Sequence, residues 1–195
     1  MEKGLTGLEF AVGIPGSLGG AVYMNAGAYD GEMSGIVMAV VAVCPDAGII
    51  RFEHNALQLG YRSSVFQNND CVICEVELAL KHSNQEDISA KMRELTEKRE
   101  SKQPLDLPSA GSAFKRPPGY FAGTMIEQAG LKGLQIGGAR VSDKHAGFIV
   151  NVGGATAADV LALIEKVQDS VERKFGVRLE PEMRILGESE IRNNR

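Results

Sequence analysis

The sequence predicts an α+β protein with two lobes and a C-terminal tail. Strand-type alternation dominates residues 36–80, and the helical pattern of Ser83–Lys102 follows it. Pro104 and Pro108 then interrupt the chain and indicate a boundary. Beyond them, short strand-like segments lie between a short and a long helical pattern. We therefore predict a first lobe over residues 1–103, a smaller second lobe over 104–176 and a tail over 177–195.

The composition is that of an ordinary globular protein: of 195 residues, 44% are hydrophobic and 24% are charged. The formal net charge is −4 and the sequence pI is about 5.5, so no basic field favours nucleic acid or an anionic membrane as a partner. Apolar runs such as Ile36–Cys44 are shorter than a membrane-spanning helix, and the first residues lack a signal-peptide pattern. We expect a cytoplasmic protein whose partners are small molecules.

The first lobe begins with a short element over Leu5–Val12. Runs of β-branched and alternating residues then predict three strands: Ile36–Cys44, Gly48–Phe52 and Cys71–Leu80. In the helix that follows, the apolar positions are spaced i, i+4, i+7 and are occupied by Ile88, Met92 and Leu95. The other face of this helix is charged, which is typical of a face exposed to solvent.

The second lobe combines two predicted helices with two strand-like segments. A short helix over Phe121–Ala129 ends at Gly130, and a long one runs from the capping box at Thr156 to Gly176. The predicted strands are Leu134–Val141, Gly147–Val152 and, in the tail, Val177–Glu188.

The cysteines are Cys44, Cys71 and Cys74, and they lack the even spacing of a disulfide framework. Cys71 and Cys74 form a C-x-x-C pair inside a strand-like segment, where residues three apart point to opposite faces. The pair has neither a second pair of ligands nor a helix start beside it. We therefore predict no metal site and no redox motif.

A glycine-rich stretch, GIPGSLGGAVYMNAGAY, covers Gly13–Tyr29. Its small residues leave backbone N–H groups bare, an arrangement that can cradle phosphate oxygens or a flat ring. The spacing is not G-x-G-x-x-G and no Lys-Ser/Thr follows, which excludes a Rossmann fingerprint and a P-loop. The alternative is a purely structural turn in which Asn25 and Gly27 serve as turn residues.

A second stretch, PSAGSAFKRPP from Pro108 to Pro118, reads as a loop. It places the Ser112 hydroxyl shortly before the cations Lys115 and Arg116. Gly111 lets the backbone approach a ligand, and the prolines prevent a helix from continuing. The loop is either a proton donor beside an anion clamp or an interdomain turn.

Three more polar residues have both a functional and a structural interpretation. Arg62 could clamp a carboxylate with its planar guanidinium, or form an ordinary surface ion pair. Glu182 follows Pro181, which a strand tolerates only at an edge or bulge, so its carboxylate either turns into a cleft or is simply exposed. His145 could be a base, although a lone histidine before a strand is more often a structural hydrogen-bonding residue.

Four separated stretches match one pattern: GIPGSLGGAVYMNAGAY, GYRSSVFQ, AGSAFKRPPGYFAG and LEPEMRILGE. On these motifs the chain closely resembles the UDP-N-acetylenolpyruvoylglucosamine reductase (MurB) family of peptidoglycan precursor synthesis. The stretch GLKGLQIGGARVSDKHAGFIVN, Gly130–Asn151, extends the match over nearly the whole chain. The forms YRSSVFQ and FKRPPGYFAG resemble the type II branch of that family.

The resemblance implies an FAD-binding lobe of the vanillyl-alcohol-oxidase/MurB-like kind and a smaller α+β substrate-binding lobe, with FAD between them. NADPH would reduce the FAD, which in turn reduces the enolpyruvyl ether of a UDP-sugar. Ser112 matches the family's proton donor, and Arg62 and Glu182 match the pair that stabilises the enolate-like intermediate. The implied substrate contacts are Tyr61, Lys115 and Arg116. The implied cofactor contacts are Ile14, Gly16, Ser17, Gly20, Asn25, Gly27 and Ala28.

Family members carry a further half-domain ahead of the stretch that matches Leu5, with another glycine-rich loop for the FAD diphosphate. The resemblance therefore predicts that about the N-terminal third of the family's chain is missing from this sequence. Two hypotheses follow from it. The chain is an FAD-dependent reductase or the catalytic portion of one, or it is a flavin-free fragment that binds only the sugar nucleotide.

Overall fold

A computed structural model describes residues 2–187 of the chain. It contains both helices and sheets, which confirms the α+β prediction. The chain divides into two compact units, an N-terminal unit over residues 1–99 and a C-terminal unit over residues 100–195. Among the described residues, no helix combines the length and the apolar composition needed to cross a lipid bilayer.

The N-terminal unit contains small ribbons, one larger sheet and a long helix. Its strands are β1 (Leu5–Thr6), β2 (Gly27–Ala28), β3 (Gly31–Glu32), β4 (Val37–Cys44), β5 (Gly48–Glu53), β6 (Val72–Leu78) and β7 (Lys81–His82). Its α-helices are α1 (Leu18–Tyr23) and α2 (Gln85–Lys102), whose last residues belong to the C-terminal unit. Short 3-10 helices cover Glu9–Ala11, Met33–Gly35, His54–Leu57 and Val65–Gln67.

The core of the N-terminal unit lies against an antiparallel sheet in which β4 is the central strand between β5 and β6. Val40 and Ala42 of β4 are buried in this core with Phe66. On the other face, Arg51 forms an ion pair with Glu77. The three strands predicted from β-branched and alternating residues are confirmed.

The predicted amphipathic helix is confirmed as α2. It begins after Asn84, whose side-chain Oδ1 accepts a hydrogen bond of 2.7 Å from the backbone N–H of Asp87. Ile88 and Leu95 are buried, whereas Met92 is half-buried. The helix ends two residues before Pro104, which lacks the N–H needed to continue it.

The C-terminal unit packs two helices against one antiparallel sheet. Its strands are β8 (Ser109–Ser112), β9 (Gln135–Ile136), β10 (Ala139–Val141) and β11 (Phe148–Asn151), and they lie in the order β8-β11-β10-β9. Its helices are α3 (Ala122–Gln128) and α4 (Ala157–Phe175). The buried face of α4 carries Leu163, Ile164, Val167 and Val171.

The ends of α4 are as the sequence predicts. The Thr156 hydroxyl accepts a hydrogen bond from the Asp159 N–H, and the Asp159 carboxylate accepts one from the Thr156 N–H. At the other end, Gly176 adopts a left-handed conformation with φ 70°. Both signals are local in sequence, so α4 is recognisable without the rest of the fold.

Two predictions for the C-terminal unit are wrong. The residues Ser109–Ser112 form strand β8 rather than a loop, because β11 supplies a neighbouring backbone with which they pair. The predicted single strand Leu134–Val141 is a tight hairpin, since Gly137 turns the chain at φ 53° and β9 pairs with β10.

The strand predicted over Val177–Glu188 is also wrong as far as Gly187, and Glu188 lies outside the described residues. In its place, the structure has an isolated bridge between Pro181 and Phe114. Proline has no N–H to donate, which prevents the bridge from extending into a regular ladder.

The structure joins Cys44 and Cys71 in a disulfide that the sequence analysis did not predict. Val43 of β4 pairs with Val72 of β6, so the two cysteines are opposite each other at the next position, with their Cα atoms 4.1 Å apart. Cys74 is exposed and is a free thiol. Strand pairing created this contact, and the spacing of cysteines along the chain could not reveal it.

Candidate functional sites

The glycine-rich segment of the N-terminal unit forms a turn that leads into α1. Gly16 has φ 125°, a conformation that L side chains rarely adopt, and a Cβ placed on it would meet nothing within 4 Å. The hydroxyl of Ser17 accepts a hydrogen bond of 3.1 Å from the Gly20 N–H and so caps the helix. Gly16, Ser17 and Gly20 are all exposed. Together they present a strip of backbone without bulky side chains.

Asn25 supports this segment from within, because it is fully buried. Its Nδ2 donates a hydrogen bond of 3.0 Å to the Gly60 carbonyl, and its Oδ1 accepts one of 2.8 Å from the Ser34 N–H. Its backbone has φ 42°, which asparagine tolerates better than most residues. Asn25 thus joins the glycine-rich segment to two distant parts of the unit, and in this structure it acts as a support.

Arg62 lies beside the same segment. The tight turn formed by Gly60 and Ser63 holds Arg62 at φ 53°. Its Nη2 is 3.4 Å from the Gly27 carbonyl oxygen, and its Cζ lies 5.0 Å from the centre of the Tyr61 ring. The structure therefore brings the predicted catalytic Arg62 and the predicted substrate contact Tyr61 next to the predicted cofactor contact Gly27.

Two side chains lock the Arg62 turn onto the glycine-rich segment. Gln67 donates hydrogen bonds from Nε2 to the carbonyl oxygens of Arg62 and Tyr23, at 2.9 and 3.0 Å. The Ser64 hydroxyl, which is buried, donates to the same Tyr23 carbonyl at 2.8 Å. The YRSSVFQ motif thus has a structural function, because Ser64 and Gln67 fix the position of Arg62.

Ser112 is the last residue of β8 and lies opposite Phe148 of β11. It is exposed, whereas the residue that follows it, Ala113, is buried. The Ala113 N–H donates a hydrogen bond of 2.8 Å to the Gly147 carbonyl, and the Ala113 carbonyl accepts one of 2.9 Å from the Glu182 N–H. The backbone of Glu182 is therefore held against that of Ala113, one residue from Ser112, although the two segments are far apart in the sequence.

The two cations after Ser112 are held differently. The Lys115 N–H donates a hydrogen bond of 2.8 Å to the Glu180 carbonyl, and the Lys115 ammonium forms an ion pair with the Glu180 carboxylate. Arg116 stacks on Phe121, with its Cζ 3.9 Å from the ring centre. This stacking orients the planar guanidinium, the group that suits carboxylates and phosphates.

Residues 103–186 match the profile of the family described as UDP-N-acetylenolpyruvoylglucosamine reductase, C-terminal domain. UDP-N-acetylenolpyruvoylglucosamine reductase 2 of Bacillus cereus is 55% identical over 188 residues, which are 96% of this chain and 62% of the relative. The reductase of Lachnoclostridium phytofermentans is 53% identical over 187 residues, which are 96% of this chain and 60% of the relative. The chain belongs to the UDP-N-acetylenolpyruvoylglucosamine reductase (MurB) family.

The fold of this MurB-family chain also has a counterpart among solved structures. The crystal structure of UDP-N-acetylenolpyruvylglucosamine reductase (MurB) from Thermus caldophilus superposes with a TM-score of 0.80 at 40% sequence identity. The superposed region covers 93% of this chain and 65% of the Thermus caldophilus chain. The chain thus spans less than two thirds of the length of the relatives that it matches.

Arg99 is a further candidate functional residue, and the sequence pattern did not reveal it. Its Cζ is 5.5 Å from the centre of the Tyr29 ring, and its Nε is 3.1 Å from where a Cβ of Gly13 would lie. Arg99 therefore contacts both ends of the glycine-rich segment. Its position on a helix with many charges gave no sign of this contact, because the sequence does not reveal which charged residue faces inward.

His145 has the structural role that the sequence analysis offered as an alternative. Its Nδ1 accepts a hydrogen bond of 3.1 Å from the Gly147 N–H, and its ring packs edge-on against Phe148 with the ring centres 5.0 Å apart. Burial lowers the pKa of the imidazole, which favours the neutral ring that this hydrogen bond requires.

The residues that the sequence predicted as catalytic, cofactor-binding or substrate-binding fall into two groups. Arg62, Tyr61 and the glycine-rich segment meet in the N-terminal unit, and Ser112, Lys115 and Glu182 meet in the C-terminal unit. The predicted meeting of Arg62 with Glu182 joins residues of different units and stays a prediction, as does the return of the tail to the flavin side.

Proposed function

We propose that this chain carries the active-site residues of an FAD-dependent, NADPH-using reductase that converts UDP-N-acetylglucosamine enolpyruvate to UDP-N-acetylmuramate. The observation that carries the proposal is the pairing of the segment around Glu182 with the segment after Ser112. It holds the backbone of Glu182 one residue from Ser112, within the part of the chain that matches the family's C-terminal domain. With such a substrate, the reaction belongs to peptidoglycan precursor synthesis, in the cytoplasm.

The glycine-rich segment fits a flavin. Exposed Gly16 and Ser17 leave their backbone accessible and the space beside Gly16 is open, whereas the Gly20 N–H already donates to the Ser17 hydroxyl. A flat ring or a diphosphate needs close approach to backbone N–H groups, which bulky side chains would prevent. The residues that would hold the FAD are Ile14, Gly16, Ser17, Gly20, Gly27 and Ala28, with Asn25 supporting them from within. The bound FAD would supply the two electrons that it takes from NADPH.

The chain's own residues would manage charge and protons on the substrate. Reduction of the enolpyruvyl double bond pushes negative charge toward the substrate carboxylate. The Arg62 guanidinium and Glu182 would stabilise that enolate-like charge, since preorganised groups in a dry site are effective at this task. Ser112 would donate a proton to the carbon next to the carboxylate, which requires its hydroxyl to lie within hydrogen-bond reach of that carbon.

Lys115 and Arg116 would contact the substrate's diphosphate, and Tyr61 would contact the substrate beside Arg62. Arg116 suits this role because its guanidinium is already oriented by Phe121. Lys115 is paired with Glu180, so a diphosphate would compete with that carboxylate for the ammonium.

The first experiment asks whether the chain binds flavin. The purified chain is titrated with FAD, and the flavin absorbance is followed after gel filtration. Retained flavin supports the reductase. Loss of the flavin, together with calorimetric binding of the UDP-sugar, would instead support the flavin-free fragment, for which the 62% coverage of the Bacillus cereus relative is the motivating observation.

The second experiment tests Ser112 in the flavin-loaded protein. Ser112→Ala should leave the loss of flavin absorbance on adding NADPH unchanged and slow its recovery on adding substrate, because only the second step needs a proton on carbon. Ser109→Ala removes a hydroxyl from the other end of the same strand and is the control. Equal slowing of both steps in Ser112→Ala would contradict the assignment of Ser112 as the donor.

A further inference from the structure

The His145 ring fills a space between two backbone segments of the C-terminal unit. A Cβ on Gly123 of α3 would lie 3.1 Å from the ring, and a Cβ on Gly147 would lie 3.0 Å from it. Both distances are shorter than ordinary van der Waals contacts, so the ring packs directly against glycine backbone on either side. The ring is half-buried, and its position is determined by these two contacts and by Phe148.

Hydrogen bonds close the turn that carries this ring. The Gly147 N–H donates to His145 Nδ1 at 3.1 Å, and the Phe148 N–H donates to the His145 carbonyl at 2.9 Å. The Ser142 N–H donates to the Phe148 carbonyl, also at 2.9 Å. The His145 side chain is therefore one of the groups that fix the backbone of Gly147 and Phe148.

The same two residues determine where Ser112 lies. Phe148 is directly opposite Ser112, and the Gly147 carbonyl accepts the Ala113 N–H at 2.8 Å. The pairing of β8 with β11 then shifts register before Val150, so a regular ladder does not hold Ser112 in place. The position of Ser112 thus depends on the backbone that His145 supports.

Only a neutral imidazole can accept a hydrogen bond at Nδ1. Protonation of Nδ1 would place an N–H of the ring against the Gly147 N–H. Two donors would then face each other, and the hydrogen bond between Gly147 and His145 would break. Burial is the largest influence and lowers the pKa of His145. A backbone hydrogen bond and the charge of Glu127 raise this pKa, the charges of Lys132 and Lys102 lower it, and the net effect is a lowered pKa. The contact is therefore intact at neutral pH and is lost in acid.

We propose that His145 is a positioning residue for Ser112: its neutral ring holds Gly147 and Phe148, and through them the strand end that carries the proton donor. The proposal rests on the proposed function for the role of Ser112, but the coupling between His145 and the strand can be tested without any activity. Acidification should disturb the Ser112 strand as His145 becomes protonated.

Two variants separate the hydrogen bond from the ring. His145→Asn places an amide oxygen where Nδ1 lies and does not titrate, so it should keep the acceptor at all pH values. His145→Leu keeps a side chain of moderate size and removes the acceptor. His82→Asn changes an exposed histidine of β7 and is the matched control.

The first readout is the protection of the Ala113 amide against hydrogen exchange, measured by NMR across pH 5–8. We expect about tenfold lower protection in His145→Leu than in the wild type at pH 7, since one hydrogen bond contributes that much. Wild-type protection should fall with decreasing pH, whereas His145→Asn should show no such fall. Ala113 protection that is the same in all variants and at all pH values would overturn the proposal. If His145→Leu does not fold, the comparison of His145→Asn with the wild type across pH decides.

The second readout is the substrate-dependent recovery of flavin absorbance in the loaded protein. His145→Leu should slow it without changing substrate affinity, and His145→Asn should restore it and remove the acid limb of the pH profile. If Ser112→Ala leaves this step unchanged while Ala113 protection depends on His145, the proposed function fails and the coupling is supported. If Ser112→Ala slows the step but the protection of the Ala113 amide is the same in the wild type and the His145 variants, the proposed function stands and the coupling between His145 and the Ser112 strand is overturned.

Discussion

Replacing Asn25 with alanine should destabilise the N-terminal unit by about 3 kcal/mol. The side chain makes two hydrogen bonds, to the Gly60 carbonyl and from the Ser34 N–H, and each contributes about 1 kcal/mol. Its backbone has φ 42°, and alanine in that region costs about 1 kcal/mol more than asparagine. Asn25 is fully buried, so water cannot replace the lost partners without rearrangement.

Two control variants separate these contributions. Asn25→Gly removes both hydrogen bonds but accepts the positive φ, so it should cost about 1 kcal/mol less than Asn25→Ala. Asp30→Ala changes an exposed aspartate at φ 63°, a conformation that aspartate also tolerates better than alanine, and should show the conformational cost alone, about 1 kcal/mol. The order of destabilisation should therefore be Asn25→Ala, then Asn25→Gly, then Asp30→Ala.

The assay is urea unfolding followed by far-UV circular dichroism, because the chain contains no tryptophan. Two compact units can unfold in separate steps, so hydrogen exchange of the Ser34 amide reports on the N-terminal unit directly. If Asn25→Ala costs less than about 1 kcal/mol and Ser34 remains protected, the bridging role of Asn25 is refuted. If Asn25→Ala still binds flavin, the glycine-rich segment does not need the hydrogen bonds of Asn25 to hold the cofactor.

Three further predictions concern the C-terminal unit. Arg116→Ala should weaken the binding of the UDP-sugar, measured by calorimetry, by about ten- to a hundredfold, and this loss of affinity should be smaller at high salt. Arg116→Lys should have an affinity between those of the wild type and Arg116→Ala, and Arg178→Ala should have the affinity of the wild type. Leu179 is 1% exposed, so Leu179→Ala should lower the free energy of unfolding by about 2–5 kcal/mol in urea melts, whereas Leu186→Ala, 91% exposed in the same tail, should have little effect. Capping-box hydrogen bonds lower the pKa of Asp159, so the ionised carboxylate stabilises the folded protein above about pH 4, and this stabilisation is lost as the pH falls below that. Thermal melts should therefore show a smaller loss of stability in acid for Asp159→Asn than for the wild type.

The motifs that identify the family have structural as well as functional reasons for their residues. In GYRSSVFQ, Ser64 and Gln67 attach the turn to Tyr23, which leaves Arg62 at a defined place beside Gly27. In LEPEMRILGE, the buried Leu179 anchors the segment and Glu180 accepts the Lys115 N–H before Glu182 is reached. Arg62 is thus held through its own motif, whereas Lys115 and Glu182 are held by contacts between two motifs.

The sequence by itself determined the elements whose signals are local. The capping box at Thr156, the apolar face of α4 and Gly176 lie within a few turns of one helix and predict it completely. The run of β-branched residues in β4 likewise identified a strand. Family resemblance added the roles of Arg62, Ser112 and Glu182, because the motifs are contiguous and can be matched without any structure.

Only the tertiary structure decided the contacts between distant segments. It paired the backbone of Glu182 with that of Ala113, joined Cys44 to Cys71, and put Arg99 against both ends of the glycine-rich segment. A strand such as β8 forms because a partner backbone is available, and its own composition of small residues gives no β signal. Long-range pairing is set by the packing of the whole unit, so no short stretch of sequence records it.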